Sequence, residues 1–160
     1  MKITLLACTF FISVFASAQD HKKIMEPVHQ LFEGMKKGDS AMVHKTFAPN
    51  PRMFTALVDP KTNKPMLRSG ELGGFLKAIG TPHPEVWNEM IWSPKIEVDG
   101  NLAQVWVPYA FYVGKKFSHC GVDAFHLFQN ENGEWKIFHL ADTRQKEGCN
   151  IPKEVSDQFK

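Results

Sequence analysis

The chain has 160 residues, 43% of them apolar, and a formal net charge of +2 that falls to +1 if Lys2 is removed. Its lysine pairs, at 22–23, 36–37 and 115–116, are scattered, which excludes the clustered basic surface that nucleic acid requires. With thirteen Phe, four Trp and two Tyr there is enough aromatic material to fill a core and to line a pocket.

The chain opens with the order of features of a secretory leader. Met1-Lys2 is a short positive start, Ile3 to Ala16 is an apolar run, and Ala16-Ser17-Ala18 is a small-x-small cleavage pattern before polar Gln19-Asp20. The run is shorter than the roughly 20 apolar residues that span a bilayer. Residues 1–18 are therefore expected to be a signal peptide, and 19–160 a single domain that is periplasmic or secreted. No membrane partner is expected after the leader is removed. Cys8 lies in the leader, which leaves Cys120 and Cys149. Exported thiols tend to be oxidised, so a Cys120–Cys149 disulfide is expected.

Residues 24–37 read as a helix with Pro27 in its first turn. Val28, Leu31, Phe32 and Met35 fall on one stripe. Gly38 stops it, and Asp39-Ser40 caps a short second helix that ends at Ala48-Pro-Asn-Pro51. Residues 53–58 read as a strand, 59–65 as a turn-rich loop and 66–68 as a short returning strand. Ser69 is the expected cap of a third helix that carries Leu72, Phe75, Leu76 and Ile79. After Gly80 the pattern becomes β, with strands at about 86–98, 102–113, 117–128 and 135–142. Asp99-Gly100, Gly114-Lys115-Lys116 and Asn130–Gly133 supply the turns of an antiparallel meander. The tail from Thr143 reads as polar. Each helix has one apolar stripe to bury, so the elements predict an α+β domain with N-terminal helices on a strongly curved antiparallel sheet.

Two segments carry a resemblance. Phe32-Glu33-Gly34-Met35-Lys36-Lys37-Gly38-Asp39, followed by His44 to Pro49, is similar to the opening motif of the nuclear transport factor 2-like, or SnoaL-like, cone fold. Val122 to Phe128 and Asn132-Gly133-Glu134-Trp135-Lys136-Ile137 resemble its closing hairpin. Within that superfamily the chain looks most like the bacterial lumazine-binding group. The resemblance covers about residues 24–142. It implies a cone-shaped domain, but the fold hosts isomerases, dehydratases, cyclases, transport factors and non-catalytic binders, so it does not by itself set the activity.

The hairpin register proposes the site. A turn centred on Asn132-Gly133 puts Val122, Ala124, His126, Phe128, Trp135, Ile137, His139 and Ala141 on one face. Asp123, Phe125, Leu127, Lys136, Phe138, Leu140 and Asp142 take the other, and a one-residue bulge would mix the sets. His126, His139, Trp135 and Phe128, with Phe32 from the first helix, are the expected ligand-binding residues. Asp123, His126 and His139 are the candidate acid–base residues. Satisfied core or interface histidines, and an ion-paired Asp123, are the structural alternatives. Metal is not expected: His119 and Cys120 are adjacent and point to opposite faces of a strand, and no zinc-like spacing occurs. No cofactor is expected. Three functions remain open at this point: a binder of a small organic molecule, an isomerase-, dehydratase- or cyclase-type enzyme in the same cavity, and a structural or interaction domain. Two largely apolar sheet faces also imply a homodimer.

Overall fold

A computed structural model of the protein describes the backbone of residues 10–160 and the side chains from residue 20 onward. The first half of the expected leader, residues 1–9, lies outside the described residues. Residues 10–18 enter the first helix, α1 (Phe10–Lys37). That helix begins well before residue 24, so Pro27 sits inside it and not in its first turn. The proline removes the N–H that would bond the Lys23 carbonyl. The predicted stripe faces inward: Val28, Leu31, Phe32 and Met35 are all buried, with Ile24 beside them.

Helix α2 (Ser40–Thr46) starts where Asp39 accepts a hydrogen bond from the Met42 N–H at 2.9 Å. It packs closely on α1. A Cβ at Gly34 would lie 2.6 Å from Val43 Cγ2, so the Gly in the opening motif is the space into which α2 fits. The chain then enters strand β1 (Phe47–Val58), which already includes the segment 48–51 expected to end the second helix. Asn50, with φ of +54°, marks the shift in its pairing. Strand β2 (Pro65–Gly70) returns antiparallel and pairs Ser69 with Phe54. Ser69 is therefore not a cap: α3 (Leu72–Gly80) begins after Glu71.

The predicted strand at 86–98 is two strands. β3 (Trp87–Ile91) and β4 (Lys95–Asp99) both pair with β5 (Leu102–Val113), one on each half of it. The break falls at Trp92-Ser93-Pro94, where Ser93 has φ of +47° and proline cannot continue a ladder. β5, β6 (Lys116–Gln129) and β7 (Trp135–Arg144) form the expected meander. The sheet is not antiparallel throughout: β1 runs parallel to β7, which gives the order β2-β1-β7-β6-β5-β3. The result is a curved, unclosed mixed sheet with helices against one side.

The tail beyond Arg144 is pinned to the sheet. Cys120 and Cys149 form the expected disulfide, with Cα atoms 6.2 Å apart. A short helix, α4 (Lys153–Ser156), buries Val155, and Phe159 stacks on Tyr112 with ring centroids 3.8 Å apart. No helix among the described residues is long and apolar enough to cross a membrane.

Candidate acid–base site in the cone

Alternation along the meander decides which side chains look inward. On β5 these are Ala103, Val105, Val107, Tyr109 and Phe111, and on β6 they are His119, Asp123, Phe125 and Leu127. On β7 the alternation is broken once. Leu127 pairs with Ile137 and His126 with His139, so Phe138 is an extra residue, 37% exposed. Trp135 and Ile137 therefore join Asp123, Phe125 and Leu127 on the inner face, as do Leu140 and Asp142 beyond the bulge. His126, Phe128, Phe138 and His139 are left outside. The predicted face sets hold beyond the bulge and are exchanged between it and the turn.

Where the helices stop covering the sheet, the inner face opens into a cavity of about 500 Å³. Its walls are mainly apolar, with Leu31, Phe32 and Met35 from α1, Phe75 from α3, and Trp87, Phe111, Phe125 and Leu140 from the sheet. Of the five residues expected to bind a ligand, Phe32 lines this cavity, with its ring edge-on to Phe125 at 6.1 Å. Trp135 is in the closed core. Phe128, His126 and His139 lie on the opposite face of the sheet from the cavity, so the expected pocket built on the two histidines is not formed. Asp123, the third acid–base candidate, does line the cavity.

Four acids line the cavity, Glu71, Glu89, Asp123 and Asp142, with one histidine, His119. Asp123 is 3% exposed, and its Oδ2 has no hydrogen-bond partner. Glu89, on β3, lines the same cavity beside it. Burial and the neighbouring charges of Glu89 and Asp142 raise the Asp123 carboxyl well above the usual carboxylate range. Burial likewise pushes Glu89 up to about 7. Such a pair holds one proton between two carboxyl groups, and the more deeply buried Asp123 is its better holder. Glu89 also borders a second, more open hollow between α1 and β3.

Asp142 is held differently. Its Oδ1 accepts from the Thr55 hydroxyl at 2.6 Å and its Oδ2 from Arg144 Nε at 2.7 Å. Tyr109 donates to the Thr143 carbonyl at 2.8 Å, and burial together with the surrounding carboxylates raises its phenol pKa. It is a fixed neutral wall. His119 packs against Tyr109 and Phe111, with ring centroids 5.7 and 5.0 Å away. Burial, then the Arg144 charge, lowers it to about 4, so it is a neutral imidazole at physiological pH. Gly121, between His119 and Asp123, is required here. A Cβ at this position would collide with the Thr143 carbonyl.

Sequence reasoning found Asp123 and missed Glu89 and His119. Glu89 was hidden in the run 86–98, read as one strand, and only the kink at Ser93 shows which half faces the cavity. His119 carries no local signal beyond its place beside Cys120. The expected opposition of that pair is observed, since His119 lines the cavity and Cys120 faces the tail.

No protein-family model matches the chain, and no curated protein matches it. Solved structures do. An NTF2-like protein of unknown function from Shewanella baltica is 24% identical over 81% of this chain and 97% of its own, with a TM-score of 0.62. An NTF2-like protein from Novosphingobium aromaticivorans covers 98% of both chains at 10% identity, with a TM-score of 0.65. A candidate ketosteroid isomerase from Shewanella frigidimarina is 15% identical over 75% of this chain and 94% of its own, with a TM-score of 0.56. The chain has the nuclear transport factor 2-like cone fold.

Proposed function

We propose that this chain is an exported acid–base enzyme of the isomerase or dehydratase type, acting on a small, largely apolar organic molecule held in the cone. The observation that carries the reading is the Glu89–Asp123 pair on the cavity wall. An empty apolar cavity would suit a binder equally well. A buried acid with a free Oδ2, coupled to a second acid that titrates near neutrality, is the arrangement proton transfer needs. The candidate ketosteroid isomerase of the same fold supports it as an analogy of architecture.

The roles follow from the two environments. Asp123 keeps its proton and donates it in a hydrogen bond to a carbonyl oxygen of the bound molecule. Glu89, ionised, takes a proton from the adjacent carbon: the C–H bond breaks, a carboxyl O–H forms, and the electron pair moves toward the carbonyl. Return of that proton to a different carbon completes an isomerisation. No oxidant or metal is needed for this balance. His119 offers a neutral nitrogen to a second polar group of the ligand, and Asp142, fixed by Thr55 and Arg144, sets the charge felt by the pair. The disulfide and the N-terminal pattern support the exported setting.

The test uses the purified full chain in D2O with a panel of apolar ketones, followed by proton NMR. Deuterium should enter beside the carbonyl in the wild type. Glu89→Gln should slow this at least a hundredfold, within the usual range for a general base. Trp87, which lines the cavity, should report binding by fluorescence. Binding without exchange in the wild type would leave a carrier and end the enzyme reading.

A further inference from the structure

The outer face of the sheet holds a second polar grouping that the acid–base site does not use. Gln104, His126, His139 and Arg52 stand opposite one another on β5, β6, β7 and β1, forming one row across four strands. The two imidazoles meet in the middle of it. Their Nδ1 atoms are 2.9 Å apart, and the rings are tilted by 37°. Phe54 packs on His139 and Phe138 on His126, so the rings are walled by aromatics and are half-buried.

We infer that His126 and His139 form a two-histidine chelate for a divalent transition-metal ion of the nickel or copper class. Two nitrogens bound at right angles, each about 2.0–2.1 Å from an ion, stand about 2.9 Å apart, whereas tetrahedral zinc spreads them to about 3.3 Å. The Nδ1 separation is that of the hydrogen bond the rings share, and it equals the right-angle spacing. In the metal-free protein one Nδ1 carries a proton and donates it to the other. The ion replaces that proton, and each ring turns so that its lone pair, directed at the other nitrogen in the hydrogen bond, points at the ion. The bulge at Phe138 keeps both rings on the outer face. Among the described residues no group of three or more His, Cys, Asp and Glu side chains converges. The chelate therefore leaves coordination positions to water or to a donor from another molecule. Arg52, the next residue in the row, opposes a cation and limits the affinity.

The test is thermal unfolding of the untagged full chain with NiCl2. Saturation to about a hundred times Kd should raise the midpoint by roughly 5–10 °C. His126→Gln and His139→Asn should each abolish the shift while leaving the metal-free midpoint and circular dichroism close to wild type. The Cu²⁺ complex should show two coupled nitrogens in its electron paramagnetic resonance spectrum. Arg52→Ala should tighten binding by about two- to fivefold. No shift at nickel concentrations on the order of 1 mM, or an equal shift in both histidine variants, overturns the proposal. So does a copper spectrum with fewer than two nitrogens, or an Arg52→Ala variant that binds no more tightly. None of these readouts involves the cone cavity, so failure here and failure of the acid–base reading are separate results.

Discussion

Strands β6 and β7 carry two facing pairs of titratable residues. Asp123 lies opposite Asp142 on the inner face, and three residues along, His126 lies opposite His139 on the outer face. The odd offset sends the pairs to opposite sides of the same backbone. Inside, two carboxylates meet where water is scarce. One is fixed by Thr55 and Arg144, and the other is left to share a proton with Glu89. Outside, two imidazoles meet in half-open surroundings and need only one shared proton to be satisfied. Like groups facing one another are costly in either place. The comparison shows how each face lowers that cost: raised pKa values inside, and a tautomer-matched hydrogen bond outside.

Large-to-small substitution should separate the two faces most. Phe125, between the pairs and 1% exposed, should lose about 3–5 kcal/mol on Phe125→Ala. Trp106, on the outer face and 50% exposed, should lose under about 1 kcal/mol on Trp106→Ala in dilute protein. Urea unfolding measures both. A large loss at Trp106 would mean that the outer face is covered in solution, as the expected homodimer requires.

The next effect anchors one end of β6. Removing the bridge with Cys149→Ala should cost roughly 2–4 kcal/mol on the chain-entropy argument. The tail packs through Phe159 and Val155 in addition to the bridge, so the variant should still fold. Peptide mapping that found both thiols free in exported protein would remove the premise.

The inner face has a pH signature set by its buried acids and by His119. Glu89 has an ordinary value of 4.5 raised to about 7, so the folded state holds a proton that the unfolded chain has released. Its contribution therefore falls as pH rises from about 4.5 and levels off above about 7. His119, lowered from 6.5 to about 4, acts in the opposite sense: its contribution is complete above about 6.5 and is lost as pH falls toward 4. Between about pH 4.5 and 6.5 the two act against each other, and Asp123, also raised, adds to the fall. His119→Gln should expose a decline that begins near pH 4.5. Glu89→Gln should flatten the profile below about 6.5, where His119 and Asp123 oppose each other, and leave a shallower fall beyond it. A wild-type profile that both variants merely shift in parallel would contradict the assigned environments.

Much of this was legible in the residues. The 3.6-residue stripe of Val28, Leu31, Phe32 and Met35, the Asp39 cap, the turns at Asp99-Gly100 and Asn132-Gly133 and the Cys120–Cys149 bridge all follow from local chemistry, and all are present. What escaped depends on contacts distant in sequence. Nothing local announces that β1 pairs parallel with β7, or that Pro49 and Pro51 sit in a strand at a pairing irregularity. Ser93, with its left-handed backbone, splits a run that reads as one strand, and with it goes the orientation of Glu89. The histidine pair was legible as a pair. Its face was not, because a bulge has no reliable sequence signature when both faces are apolar.

That bulge gives the smallest expected effect and the sharpest test of the comparison. Phe138 is the extra residue: Ile137 before it points inward, His139 after it points outward, and Leu140 points inward again. Removing Phe138 alone leaves Ile137, His139 and Leu140 in plain alternation. The pairs Leu127–Ile137 and His126–His139 then need not change partners. Deletion of Phe138 should therefore be tolerated, at a cost of about 1–2 kcal/mol for a partly exposed ring and a relaxed strand twist. The Asp123–Asp142 pair should remain in the cavity and the histidine pair outside it. Inserting a residue between Leu140 and Ala141 would instead reverse every side chain that follows and move Asp142 out of the cavity. The pH profile distinguishes the outcomes, because Asp142 raises both Glu89 and Asp123 by its charge. The deletion should keep the fall in stability above about pH 6.5, and the insertion should weaken it. A deletion variant that fails to fold, while the insertion is tolerated, would show that the bulge sets the register of the strand and is not merely accommodated by it.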